Sequence, residues 1–362
     1  MKSMEAKIIL NVFEAGNGDF FWLEYMSEES RHHVLIDSGN VGTYRDYKRI
    51  LSYIKKENEI IEAIVFTHID GDHIGGGVKA LSAMQWDELP VIRKILMNSI
   101  TNVSTYMQNT VQLSVEQAVK LEHVFSSLGL LDKLVHPVLQ GDILELADGA
   151  RMKIISPDQE SLLQFEAIAS RKLEDEADSP QLGGRKEVLH FRDISDYMNE
   201  SDEDDTRVEN RASIAFVFEV DHMRMAFLAD ANPHICAAGL GVFYEAGTSF
   251  DLVKLSHHGS SKNTTHELTE SMRSRNFLLS TNGHGGKPSK QTLCRLLESY
   301  GHINLICNYA WWERQYMGQY FTQKDDEEYI QCGRLKLIDL GEREMEACEG
   351  IAIQLRRKNR EL

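Results

Sequence analysis

Thr67-His68-Ile69-Asp70-Gly71-Asp72-His73-Ile74-Gly75-Gly76-Gly77 concentrates more chemistry than any other part of the chain. It follows an apolar run through Ile61, Ile64, Val65 and Phe66 that reads as a buried strand, then sets two histidines and two aspartates within six residues. Imidazole nitrogen and carboxylate oxygen suit zinc, manganese or iron, and the lack of cysteine argues against a closed structural zinc site. His68 and Asp70 are two apart and point the same way on extended chain, while Asp72 and His73 follow Gly71 into the next helix. One loop thus offers donors to two neighbouring metal positions. Gly75, Gly76 and Gly77 are expected to let backbone approach the ions without a side chain in the way. The competing reading is a polar turn in which Asp72 caps a helix; it suits a lone histidine better than four such residues together.

Before this stretch, Lys7–Phe13, Phe20–Tyr25 and His33–Asp37 read as strands, the first two joined by the turn Gly16-Asn17-Gly18-Asp19. Tyr47, Ile50, Leu51 and Ile54 recur at helical spacing and lead into the strand Glu62–Phe66. A second cycle of the same order follows mid-chain. Ser213–Val220 and Arg224–Leu228 form a hairpin ending at Asp230, and Asp251–Leu255 runs into Ser256-His257-His258-Gly259-Ser260. Asn276–Ser280 leads to His284, Thr264-x-x-Glu267 reads as a capping box, and Ser289 caps a helix stopped by Gly301. Strands with interleaved helices in both halves imply an α/β (α+β) fold, two sheets packed together with helices outside. Asp230 and the His257-His258 pair, at later strand tips, are expected to complete the metal site, Asp230 as a bridge between two ions.

The 362 residues can bury a large core, and their formal charge of −17 opposes passive binding to long polyanions. Cys236, Cys294, Cys307, Cys332 and Cys348 make neither a disulfide framework nor a C-x-x-C site, which suits a reducing cytoplasm. No leader pattern and no long apolar span is seen, so the expectation is a cytoplasmic chain with no membrane contact. Residues 172–209 are polar and acidic; the run Asp202-Glu203-Asp204-Asp205 reads first as a solvated loop and second as a lid or partner-binding segment. The aromatic stretch Tyr309, Trp311, Trp312, Tyr316, Tyr320 and Phe321 reads as packing, and Arg356-Arg357-Lys358-Asn359-Arg360 as a soluble end.

His68-x-Asp70-x-Asp72-His73-x-Gly75-Gly76 resembles the H-x-[HD]-x-D-H motif of the metallo-β-lactamase fold superfamily. Asp37 in Leu35-Ile36-Asp37-Ser38-Gly39 resembles its first acidic motif, and Asp230 its bridging aspartate. The chain is more closely similar to the hydrolase domain of ComEC-type competence proteins and their free-standing relatives. The shared features are the Gly16–Asp19 turn, the N-x-x-S of Asn210–Ser213 and the K-x-x-H-H-G-S of Lys254–Ser260. The resemblance implies a four-layer αββα sandwich: one domain over 1–362, with an insertion at about 100–209 and a C-terminal extension at about 301–362.

It further implies that His68, Asp70, Asp72, His73, Asp230 and His257 bind one or two divalent ions, zinc first and manganese second, with the choice of His257 over His258 resting on strand position alone. Asp37 would orient a ligand, Asp72 would take part in catalysis, His258 would assist proton transfer or hold an anionic oxygen, and His284 would reach the substrate. The implied activity is hydrolysis by a metal-bound water, with a phosphodiester of DNA, RNA or a small nucleotide as substrate. Two other activities stay open: hydrolysis of an ester, thioester or lactone, and service as a metal-binding subunit of a multi-protein assembly, such as a bacterial defence system, activated by a partner through the acidic insertion. Two departures stand out. Asp70 occupies a position that is histidine in many members, and His123, His136 and His190, between Gly77 and Asp230, lack a strand-tip setting.

Overall fold

The computed structural model describes residues 7–26, 30–98, 113–174, 192–313, 320–340 and 353–358. The chain opens with β1 (Lys7–Phe13), β2 (Phe21–Met26), β3 (Arg31–Ile36), α1 (Tyr44–Lys56), β4 (Ile60–Val65) and α2 (Gly71–Leu81). Short strands β5 (Val91–Ile92) and β6 (Ile95–Leu96) precede α3 (Leu113–Ser127), β7 (Leu134–Val135), β8 (Ile143–Glu145), β9 (Arg151–Ser156) and α4 (Gln159–Glu174). The second half holds α5 (Val208–Arg211), β10 (Ala215–Val220), β11 (Met223–Phe227), α6 (Pro233–Phe243), β12 (Thr248–Ser249), β13 (Leu252–Lys254) and α7 (His266–Ser271). It ends with β14 (Met272–Arg273), β15 (Asn276–Leu279), α8 (Lys290–Tyr300), β16 (Ile303–Cys307), β17 (Leu335–Asp339) and β18 (Ile353–Lys358).

Period-two alternation sets the layers. In β2, Phe21, Leu23 and Tyr25 enter one apolar cluster while Trp22 enters another; in β10, Phe216 and Phe218 separate from Ala215 and Val217 in the same way. The middle cluster lies between an eight-stranded sheet ordered β18-β1-β2-β3-β4-β6-β7, with β5 on β4, and an eight-stranded sheet ordered β17-β16-β15-β13-β11-β10-β9-β8. The outer clusters join the first sheet to α1, α2, α3 and α4, and the second sheet to α6, α7 and α8. The result is an α/β sandwich of the αββα kind. Both halves are built alike: β1, β2 and β3 are antiparallel and α1 returns to β4 parallel to β3, while β9, β10 and β11 are antiparallel and α6 returns to β13 parallel to β11.

The stretches at about 100–209 and 301–362 contribute strands to both sheets. β8 and β9, within the proposed insertion, belong to the second sheet; in the tail, β16 and β17 extend that sheet and β18 pairs in parallel with β1. Arg356, Arg357 and Lys358 thus lie in a strand rather than a loose end. Trp311 and Tyr320 are buried edge to face, with ring centroids 4.8 Å apart, which makes the aromatic stretch a packing feature. Tyr316, His190, Cys348, Asn359 and Arg360 lie outside the described residues. Ser289 caps α8 by accepting from Gln291 N, and Gly301 ends that helix at φ +73°. α7 is capped by Thr265 rather than Thr264, because Thr265 is the residue whose side chain accepts from Leu268 N. No described helix is long and apolar enough to cross a membrane.

β3 and β4 run parallel, as do β11, β13 and β15, so their C-terminal ends open on common edges. Asp37, Thr67, Asp230, His257 and Ser280 all lie just past such ends.

Candidate metal centre

The loops at this rim are held in backbone conformations that side chains rarely adopt. Asp37 (φ +52°), Ala229 (φ +49°), His257 (φ +45°) and His258 (φ +57°) are all left-handed. Each costs roughly 1–2 kcal/mol, and such strain collects where geometry serves a site. Neighbours on an extended chain point to opposite sides. The consecutive left-handed residues His257 and His258 break that rule, so both imidazoles turn toward Asp230.

Asp230 is the hub. Its Oδ1 lies 3.8 Å from His73 Nε2 and 3.8 Å from His258 Nε2, and its Oδ2 lies 3.9 Å from His68 Nε2 and 3.6 Å from His257 Nε2. Asp72, His73 and His258 present donor atoms within 4.8 Å of one another, as do His68, His73 and Asp230. Donors sharing one ion at about 2.1 Å in a tetrahedron stand roughly 3.4 Å apart. The nitrogens and oxygens are therefore at ligand spacing, too far apart for hydrogen bonds to each other. His68 Nε2, His73 Nε2, His258 Nε2 and Asp230 Oδ1 are buried with no hydrogen-bond partner. Orphaned atoms of this kind are costly unless something binds them, and a divalent ion fits the donor set.

Each imidazole is fixed from behind through Nδ1. His73 Nδ1 donates to Asp37 Oδ2 at 2.8 Å, and His258 Nδ1 donates to the Ser280 carbonyl at 2.7 Å. His68 Nδ1 lies 3.1 Å from Thr67 Oγ1, which in turn donates to Asp37 Oδ2 at 2.7 Å. His257 Nδ1 meets Asp205 Oδ2 at 3.2 Å and Asn263 Oδ1 at 3.1 Å. A protonated Nδ1 leaves the Nε2 lone pair free for a ligand, and outer partners of this type also fix ring orientation. Burial first, then the neighbouring His73, lowers the pKa of His68; burial likewise holds His258 well below the usual range. For His73 burial is outweighed by Asp37 and Asp230, and its pKa rises to about 10. Asp230 is held well below the carboxylate range because the surrounding imidazoles outweigh burial.

The structure distributes the anticipated residues unevenly. Asp37, His68, Asp72, His73, Asp230, His257 and His258 converge. Asp70 is the N-cap of α2 without a capping bond, and its Oδ2 takes Arg207 Nη2 at 3.1 Å. His258 presents a ring nitrogen beside Asp72 and His73, and its Nδ1 donates to the Ser280 carbonyl. His284 lies exposed on the turn 284–286. His123 is exposed on α3, and His136 faces Glu166 at 3.6 Å, so neither joins the cluster. The glycine run packs closely against neighbouring chain: a Cβ on Gly76 would lie 2.2 Å from the Ser38 carbonyl, and one on Gly77 3.0 Å from the Phe66 ring. Gly18 is the glycine that brings a loop against the metal motif, since a Cβ there would lie 1.7 Å from the Asp72 carbonyl.

Three further residues stand beside those already named. Asp19, next to Gly18, is buried, pairs with the buried Lys254 and lies 3.7 Å from His258 Nδ1. Burial, only partly offset by Lys254, raises its pKa to about 6. Its signal was the Gly16–Asp19 turn, legible as a turn without a role. Asp205 and Arg207 come from the acidic stretch, whose composition hides which carboxylate turns inward.

A family model described as the metallo-β-lactamase superfamily matches residues 23–83, which include Asp37 and the whole of Thr67–Gly77. No curated protein matches the chain. Zinc-bound PqqB from Methylobacterium extorquens is 10% identical with a TM-score of 0.39, over 89% of this chain and 85% of its own. A diphosphatase of the PhnP family is 10% identical with a TM-score of 0.39, over 93% of this chain and 95% of its own. A mutant of the CmlA β-hydroxylase is 12% identical with a TM-score of 0.37 over 93% of this chain, which spans only 53% of that protein.

Proposed function

We propose that this metallo-β-lactamase-like chain is a metal-dependent hydrolase whose substrate is a phosphodiester, small or locally bound. The observation that carries the reading is the convergence of four imidazole Nε2 atoms on the two oxygens of Asp230, each ring fixed through Nδ1. His68, Asp72, His73, Asp230, His257 and His258 would hold the metal, and a donor set this rich in imidazole favours zinc over manganese. A bound divalent ion supplies Lewis acidity and lowers the pKa of water from 15.7 to about 7.

The chain's own residues supply orientation and charge. Asp37 fixes His73 directly and His68 through Thr67, so one buried carboxylate sets two rings. The Lys287 ammonium feels Asp230 and Asp72, and burial lowers its pKa. Arg207, half exposed, sits on Asp70. These two cations favour an anionic substrate at the mouth of a chain whose net charge of −17 repels long polyanions.

The test is turnover by chelator-stripped protein with added zinc or manganese, on bis(p-nitrophenyl) phosphate and on p-nitrophenyl acetate. Metal-dependent phosphodiester cleavage that Asp230→Asn abolishes supports the proposal. Ester turnover without phosphodiester cleavage overturns the substrate class.

A further inference from the structure

We propose that the cavity between the outer face of the first sheet and one flank of α1 is a binding site, separate from the metal centre, for a small amphipathic anion: an apolar body carrying a phosphate or carboxylate. The cavity measures about 910 Å³, within the roughly 300–1,000 Å³ of small-molecule sites. Its floor is the outward row of β1 and β2. Ile9 and Glu24 are paired across the two strands, and Trp22 and Met26 flank Glu24 on the same face. Its wall comes from α1. Tyr47, Ile50, Leu51 and Ile54 are the stripe that α1 buries. Arg45, Lys48, Arg49, Tyr53 and Lys56 recur at helical spacing on the adjoining flank and line the cavity. None of these residues belongs to the cluster around Asp230.

The charge of this cavity is opposite to that of the chain, which carries −17. Glu24 is the one acid among the described lining residues. It is 4% exposed and accepts from Asn11 Nδ2 at 2.8 Å and Arg31 Nη1 at 3.3 Å. Arg31 thus offsets it, and the four α1 cations Arg45, Lys48, Arg49 and Lys56 remain. Arg45 Nε donates to the Tyr44 hydroxyl at 3.0 Å and Lys48 Nζ to the Ala83 carbonyl at 3.0 Å, both neutral acceptors. Arg49 faces Asp46 at 3.7 Å and Lys56 faces Glu57 at 3.9 Å, long contacts of exposed cations that contribute little. A concave surface lined by one sign of charge concentrates the opposite ion. The apolar part of the site is already in place. Trp22 Nε1 donates to His33 Nδ1 at 3.0 Å, and the Trp22 and Tyr53 rings meet edge to face with centroids 5.8 Å apart. Tyr53 is 39% exposed and offers its ring to a ligand. A purely ionic ligand has no use for this floor, and a purely apolar one has no use for the cations; the cavity suits a molecule with both.

The experiment titrates the purified full chain with anilinonaphthalene sulfonate, a ring-bearing anion, and reads its fluorescence while AMP, adenosine and decanoate compete. Expected is a saturable site from which AMP or decanoate displaces the dye, with adenosine, which lacks the charge, at least about tenfold weaker. Displacement by AMP identifies a nucleotide-type phosphate and displacement by decanoate an acyl carboxylate; either supports the inference. Arg45→Gln combined with Arg49→Gln should weaken the dye by roughly 10–100-fold, as loss of one or two charge-assisted contacts does. Ser52→Trp fills the cavity from an exposed position on α1; it should abolish the site and leave the unfolding midpoint unchanged. No saturable site, or dye that neither AMP nor decanoate displaces, overturns the inference. So does adenosine that competes as well as the anions, or wild-type affinity in Ser52→Trp. If Ser52→Trp does not fold, the paired arginine change decides, and wild-type affinity there overturns the inference. A wild-type dimer that Ser52→Trp makes monomeric assigns the face to a second copy of this chain and overturns it as well. None of these outcomes depends on bound metal, so the metal-centre reading stands or falls separately.

Discussion

The Asp37 carboxylate accepts a hydrogen bond from His73 Nδ1 at 2.8 Å, and both side chains are wholly buried. Its other bonds come from Thr67 N at 2.8 Å and Thr67 Oγ1 at 2.7 Å, and Thr67 Oγ1 in turn meets His68. Asp37→Asn keeps the shape and removes the charge, so it is expected to weaken metal binding by roughly 10–100-fold. Metal titration with competing chelators reads this directly.

Lys254 and Asp19 form an ion pair with each side chain 1% exposed. Removing one partner leaves a buried charge uncompensated, which costs about 3–5 kcal/mol. Lys254→Met should therefore destabilise strongly in urea unfolding, and Asp19→Asn added to it should recover part of the loss. Additive losses would show that the two residues do not act as a pair.

Gly18 packs where a Cβ would lie 1.7 Å from the Asp72 carbonyl, against backbone that cannot yield without moving the start of α2. Gly18→Ala is expected to cost more than about 1 kcal/mol of stability and to weaken metal binding as Asp72 and His73 shift. Gly239→Ala is the control: its Cβ would lie 2.0 Å from the Ile155 carbonyl on the outer face of the second sheet, so it should destabilise without that loss.

His33 predicts an acid limb in stability. It is wholly buried, accepts a hydrogen bond from Trp22 Nε1 on its Nδ1 at 3.0 Å, and has its pKa pushed down to about 4, chiefly by burial. The unfolded chain takes up that proton near pH 6.5. Between about pH 6.5 and pH 4 the unfolded state binds a proton that the folded state refuses, so stability falls as pH falls and levels off below; His33 accounts for about 3 kcal/mol of this. Denaturation midpoints for wild type and His33→Gln should converge across that window.

Much of this was legible because it is periodic or local. The alternation in β2 and β10, the helical spacing of Tyr47, Ile50, Leu51 and Ile54, and the strand tips at Asp37 and Asp230 are properties of neighbours in sequence. The way His257 and His258 both turn toward Asp230 was not, because it depends on two consecutive left-handed residues and, for His258, on a bond to Ser280 that no side-chain type announces. Asp205 was hidden for a similar reason. Four acidic residues in a row look alike until the fold buries one of them beside His257. The neighbours of the glycine run were hidden because glycine shows only that something comes close, and here it is the Ser38 carbonyl and the Phe66 ring.

If Asp230 and its four imidazoles hold divalent metal, the loss of the shared carboxylate must empty the site. The most direct measurement is equilibrium dialysis of chelator-stripped wild type and Asp230→Ala against zinc, with bound metal counted per folded chain. Tight binding by wild type and a loss of more than about 100-fold in the variant, beyond what an outer-shell change produces, is the predicted result. Wild type that retains no zinc, or Asp230→Ala that binds it equally well, would show that these residues do not form a metal centre.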